Sequence, residues 1–162
     1  MVPVTRLMFG LSVAAITAGL AFATGAPSAQ GGRSVIQRIN PPGLSTPTGY
    51  SHIVSAKGGR TIYISGQVAI NEQGELVGPG DLRAQTTQVF ANLAVALRAA
   101  GATFNDVVKT NYYMRDASQV QVVREIRSQY FKDLPASTLV EVTRLANPGF
   151  LLEIEAVAVV PE

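Results

Sequence analysis

Residues 151–160 read Leu-Leu-Glu-Ile-Glu-Ala-Val-Ala-Val-Val, and no other segment limits the fold as much. Ten residues rich in β-branched and aliphatic types, with strict positional alternation, form a strand. Leu152, Ile154, Ala156, Ala158 and Val160 point one way; Leu151, Glu153, Glu155, Val157 and Val159 point the other. Both faces therefore carry apolar groups. Helices from the same chain can cover only one of them, so the second face calls for another subunit.

The rest of the chain supplies the covering layer. Asp81 stands where a helix N-cap belongs, and Val89, Leu93, Ala96, Leu97 and Ala100 recur at helical spacing before the stop at Gly101. A second stripe, Val120, Val123, Ile126 and Tyr130, follows a cap at Asp116 or Ser118 and ends before Pro135. Strands are expected at residues 35–39, 50–55, 60–66, within 104–114, at 137–145 and at 151–160. Gly58-Gly59 would join the second and third as a hairpin. The order β-β-β-α-β-α-β-β gives an α+β fold, a mixed sheet with two helices on one face.

The N-terminus reads differently. Arg6 precedes an uncharged apolar run over residues 7–23, and Ala21-Phe22-Ala23 fits a small-residue cleavage site. This is the layout of a signal peptide over residues 1–23. An uncleaved anchor is the alternative, but glycines and alanines make the run short and mildly apolar for a span. Residues 24–34, rich in Gly, Ser, Ala and Gln, read as a flexible linker, and residues 35–162 as the domain. The expected location is periplasmic or secreted, with no stable membrane insertion once the signal is removed.

Some chemistry is excluded outright. The chain has no cysteine, which removes disulfides, thiol catalysis and a lipoprotein anchor, and its one histidine, His52, cannot form a multi-His metal site. A net charge of +2 with both signs scattered gives no nucleic-acid footprint.

Six ordered segments carry a family resemblance. They are Gly49-Tyr50-Ser51; Tyr63-Ile64-Ser65-Gly66-Gln67; Gln85 through Asn92 with Ala99-Ala100-Gly101; Asp106-Val107-Val108-Lys109-Thr110; Tyr130-Phe131 with Pro135-Ala136; and Glu153-Ile154-Glu155-Ala156-Val157-Ala158. Together they resemble the RidA/YjgF family of reactive-intermediate deaminases. The resemblance implies a chorismate-mutase-like subunit, a homotrimer and small-molecule pockets in the clefts between subunits. It also implies hydrolysis of enamines and imines to keto acids and ammonia, without metal or organic cofactor. An endoribonuclease label in the same family finds no support here, because the chain lacks a basic stripe and a His pair.

The resemblance marks Glu153 as the catalytic group and Tyr50, Ser65, Gly66, Ser137 and Leu139 as substrate-binding. Their chemistry is consistent with those roles. A strand-end hydroxyl and backbone N–H at Ser65-Gly66 can meet a carboxylate or carbonyl, though a satisfied strand terminus would look the same. A part-buried carboxyl at Glu153 suits proton transfer, with a structural ion pair as the alternative and Glu155 as a competitor on the same face.

One departure stands out. The family places an arginine directly after Pro-Ala; here the segment is Pro135-Ala136-Ser137-Thr138. Serine lacks the bidentate charged fork of arginine. Charged hydrogen bonds contribute roughly 1.5–3 kcal/mol each, so the loss amounts to a factor of tens or more in affinity at about 1.4 kcal/mol per decade. Leu139 makes the pocket more apolar. Arg124 is expected on the helix surface and Arg144 away from the face of Ser137. His52 is expected as a hydrogen-bonded strand residue. The sequence thus favours a protein that binds a small carbonyl or imine-type metabolite. The alternative is an active deaminase of 2-iminobutanoate or 2-iminopropanoate type with a different anchor.

Overall fold

The computed structural model describes Met1 and residues 35–162. The signal peptide and linker expected at the N-terminus fall outside the described residues. No helix among the described residues is long and apolar enough to cross a membrane.

Among the described residues, six strands and two α-helices follow in order: β1 (Val35–Ile39), β2 (Ile53–Lys57), β3 (Arg60–Gln67), α1 (Leu82–Ala99), β4 (Val107–Met114), α2 (Val120–Arg127), β5 (Ala136–Glu141) and β6 (Leu152–Val160). The main sheet has the order β3-β6-β4-β5. It is antiparallel at β6 and parallel between β4 and β5. The crossovers β3-α1-β4 and β4-α2-β5 step the same way along the sheet. Parallel crossovers share one handedness, so both helices land on the same face.

That face is the core. Ile62 and Ile64 from β3, Tyr112 and Met114 from β4, and Leu152, Ile154, Ala156 and Ala158 from β6 pack against Val89, Phe90, Leu93 and Leu97 of α1 and Val123 and Ile126 of α2. Asp81 caps α1 as expected, accepting from the backbone N–H groups of Arg83 and Ala84. Gln85 is fully buried. Its amide donates to the carbonyls of Gly78 and Gly149, and its carbonyl accepts from Leu151 N–H, tying α1 to the entry of β6.

Two expectations are corrected. The expected hairpin between the second and third strands does not form a ladder: β2 pairs with β1 over five residues, and β3 pairs with β6. Gly58 and Gly59 reverse the chain with φ of 73° and 86°. A turn sets direction, but pairing follows burial, and only β3 has the inward isoleucines to belong to the main sheet. The second helix is also shorter than its apolar stripe, stopping at Arg127. The chain then turns so that Tyr130 stacks on Phe90 with centroids 4.8 Å apart, and Phe131 meets Phe104 edge-on at 5.1 Å. Aromatic packing of this kind outweighs another helical turn.

Candidate functional site

The marked residues fall into two groups on opposite faces of the sheet. The first lies on the helix side. Ser137 and Leu139 stand beside Thr110 and Tyr112 in the parallel β4–β5 register, facing α2. Tyr50 closes over them, because Ser51 is stitched to the start of β5. Its N–H donates to Pro135 O at 2.9 Å and its hydroxyl to Leu134 O at 2.7 Å. The result is a cavity of about 160 Å³ bounded by the loop residues Thr48, Gly49 and Tyr50, by Ser137 and Leu139, and by α2. The Ser137 hydroxyl shares a 2.7 Å hydrogen bond with Thr110 Oγ1, which draws it down onto the sheet.

Arginines bound this cavity too. Arg124 and Arg127 project from α2 into its lining, so Arg124 is not the surface residue expected from its stripe. Arg127 was legible in principle: Val120, Arg124 and Arg127 lie at i, i+4 and i+7, one helix face. A Cβ added at Gly49 would collide with an Arg127 guanidinium nitrogen, so glycine there leaves room for the guanidinium. The Tyr112 hydroxyl and Arg127 Nε are buried without a hydrogen-bond partner. Burial pushes the Tyr112 phenol pKa above 10.0, against smaller opposing effects of Thr110 and Arg127, which lie near without completing hydrogen bonds of good geometry.

The second group occupies the open face. The β3–β6 register slips between Ile64 and Gln67, placing Ser65 and Gly66 in a bulge. Bulges re-aim side chains and frequently border active sites. Glu153 crosses directly over this bulge: a Cβ on Gly66 would collide with a Glu153 carboxylate oxygen. Only glycine permits that approach. Ser65 is exposed and lines a separate groove with Lys109, Asn111 and Glu155.

The two carboxylates of β6 differ in availability. Glu155 accepts hydrogen bonds from the Asn111 amide and the Tyr113 hydroxyl, and its bond raises the Tyr113 pKa above the ordinary phenol value. Glu153 makes no side-chain hydrogen bond among the described residues, which leaves it the freer of the two for chemistry. Arg144 lies on this face beside Glu153 and Glu155, away from Ser137 as expected. His52 serves the loop: its ring bonds Ser45 O at 2.8 Å and meets Tyr50 edge-on.

Comparison with known proteins fits this architecture. The family model described as endoribonuclease L-PSP matches residues 43–160. The chain is 40% identical over 129 residues to the human 2-iminobutanoate/2-iminopropanoate deaminase, covering 78% of this chain and 90% of that protein. It is 41% identical over 104 residues to a RutC family protein of Pyrococcus abyssi, covering 63% and 80%. Among solved structures, a Rid family protein of unknown function from Yersinia pestis, YyfB, superposes with a TM-score of 0.70 at 43% identity, covering 77% of this chain and 98% of that one. RidA from the Antarctic bacterium Psychrobacter sp. superposes with a TM-score of 0.59 at 36% identity, covering 72% and 92%. A family match that spans residues 43–160, together with relatives at about 40% identity over most of their length and the same fold, shows that this chain belongs to the RidA/YjgF family.

Proposed function

We propose that the protein hydrolyses small imines and enamines to the carbonyl compound and ammonia, in a cleft completed by a second copy of the chain. The Glu153 carboxylate held over the bare backbone of Gly66 carries this reading. It sets an unengaged carboxylate beside a strand end where a planar substrate can approach. A water adds to the imine carbon while Glu153 takes its proton. The proton then passes to the nitrogen, giving a carbinolamine; its hydroxyl proton moves by way of Glu153 to the same nitrogen, the C–N bond breaks, and ammonia leaves as the carbonyl forms. An enamine first takes a proton at carbon to become the imine. Relatives named 2-iminobutanoate/2-iminopropanoate deaminase support that substrate class.

A second copy is needed for a geometric reason. The Tyr50–Ser137–Leu139 cavity and the Gly66–Glu153 pair lie on opposite faces of one sheet, so one chain does not bring them together. The apolar surplus on the open face, including Tyr63 at 82% exposure, is suited to such a contact. A homotrimer is the expected assembly, and light scattering of the purified domain at micromolar concentration checks it. The second reading, binding of a carbonyl or imine metabolite without turnover, is favoured by one observation: Ser137 at the arginine position. Ammonia release from 2-iminobutanoate generated in situ by an amino-acid oxidase separates the two. Turnover by wild type supports hydrolysis; tight binding without ammonia supports the binding protein.

The place of action belongs to the same proposal. Arg6, the apolar residues 7–23 and Ala21-Phe22-Ala23 support export. Intact-mass measurement of the periplasmic fraction should give a chain beginning near Thr24 or Ala29. A cytoplasmic product retaining Met1 would refute this.

A further inference from the structure

We infer that Arg127 is the substrate's anion anchor, and that α2 supplies the charge absent from β5 at Ser137. This rests on the imine-hydrolase reading for its substrate class, a small carboxylate with an adjacent C=N or C=O, but not for its evidence. The cavity lining contains two guanidinium groups, Arg124 and Arg127, and no carboxylate. The ion pair among the described residues, Arg83 with Glu125, lies on the surface and involves neither.

Arg127 carries the stronger case of the two. Its guanidinium reaches from the last turn of α2 to Gly49. Its Nε is buried without a partner, and so is the hydroxyl of Tyr112, itself 2% exposed and lining the same cavity. Buried polar groups are normally hydrogen-bonded, and leaving one without a partner is costly. Two unsatisfied groups facing one cavity therefore call for an acceptor within it. A carboxylate answers both: it accepts from the guanidinium fork and from the phenol.

Ser137 completes the picture by what it leaves open. Its hydroxyl is held down by Thr110, so the space a long side chain would fill at that position remains for the ligand. The anion is then held from the helix side of the cavity, with Arg124 as a second positive charge beside it. The alternative is that Arg127 only packs its aliphatic stem and lets its head reach solvent.

Binding measurements on the assembled protein decide between them. The probes are 2-oxobutanoate, the hydrolysis product of the relatives' substrate, and the uncharged 2-oxobutanamide, titrated calorimetrically. Wild type should prefer the carboxylate by about tenfold or more, the range of charge-assisted hydrogen bonds. Arg127→Gln should erase that preference and raise KM more than it lowers kcat. Arg127→Lys should keep part of it, and Ser137→Arg in the Arg127→Gln background should restore it. An Arg127→Gln protein with an unchanged circular dichroism spectrum and an intact carboxylate preference overturns the inference. If Arg127→Gln does not fold, a full preference in Arg127→Ala with Ser137→Arg absent overturns it equally. A wild type that binds 2-oxobutanoate through Arg127 yet releases no ammonia leaves the anchor standing and removes the hydrolase reading. Turnover with KM unmoved by Arg127→Gln does the reverse.

Discussion

The two faces of the main sheet present different chemical groups. The helix side offers a cavity with cations, aromatic walls and no carboxylate. The open side offers carboxylates, a bulge and exposed apolar groups. One half is suited to hold a substrate, the other to move a proton. On the function proposed above neither is a complete site, and the separation is a consequence of strand alternation: Ser137 and Glu153 lie on strands of one sheet but on opposite sides of it. A site divided as proposed would tie activity to assembly.

The largest expected effect breaks the proton-moving half. Glu153→Gln keeps the size of the side chain and removes its base, and should lower ammonia release by about 10²–10⁴-fold. Circular dichroism should be unchanged. If turnover survives, Glu155 or a backbone-held water must take the role.

Mixing experiments sharpen the comparison itself. Ser137→Phe should fill the helix-side cavity and Glu153→Gln should disable the open face, each variant being inactive alone. Unfolded and refolded together in equal amounts, they should recover about a quarter of wild-type activity, the random share of clefts with both halves intact in a closed oligomer. No recovery would place both halves within one chain and end the idea of a divided site.

Gly66→Ala tests the close approach. The added methyl meets the flexible end of Glu153, which must move aside. Displacement by an ångström should cost up to about 10²-fold in kcat, with the melting temperature little changed. Activity at wild-type level would mean that Glu153 need not lie over residue 66.

The smallest effect lies outside both faces. Asp116 caps the 3-10 turn Ala117–Gln119 that leads into α2, and hydrogen bonds, first from Ser118 and then from Gln119, hold its pKa below the ordinary carboxylate value. A depressed folded pKa contributes stability above the unfolded value, and that contribution is lost as pH falls through the folded one. Asp116→Asn should therefore flatten, slightly, the acid limb of the melting temperature against pH below about 4. An identical limb would show that the cap does not matter to α2.

What could be read from residue order was whatever has a local period. The 3.6-residue stripe of α1 with its Asp81 cap, the alternation of β6 and the common side of Ser137 and Leu139 follow from backbone geometry over a few residues. Those patterns gave the α+β layer and the mixed sheet. The ladder partner of β2, the early end of α2 and the direction of Arg124 and Arg127 depend on contacts between distant segments. Burial decided the first, the Phe90–Phe104–Tyr130–Phe131 cluster the second, and the Gly49 loop, with no side chain in the way, the third. Periodicity assigns each residue a side of its own element; which neighbour occupies the space on that side is settled only when the elements pack.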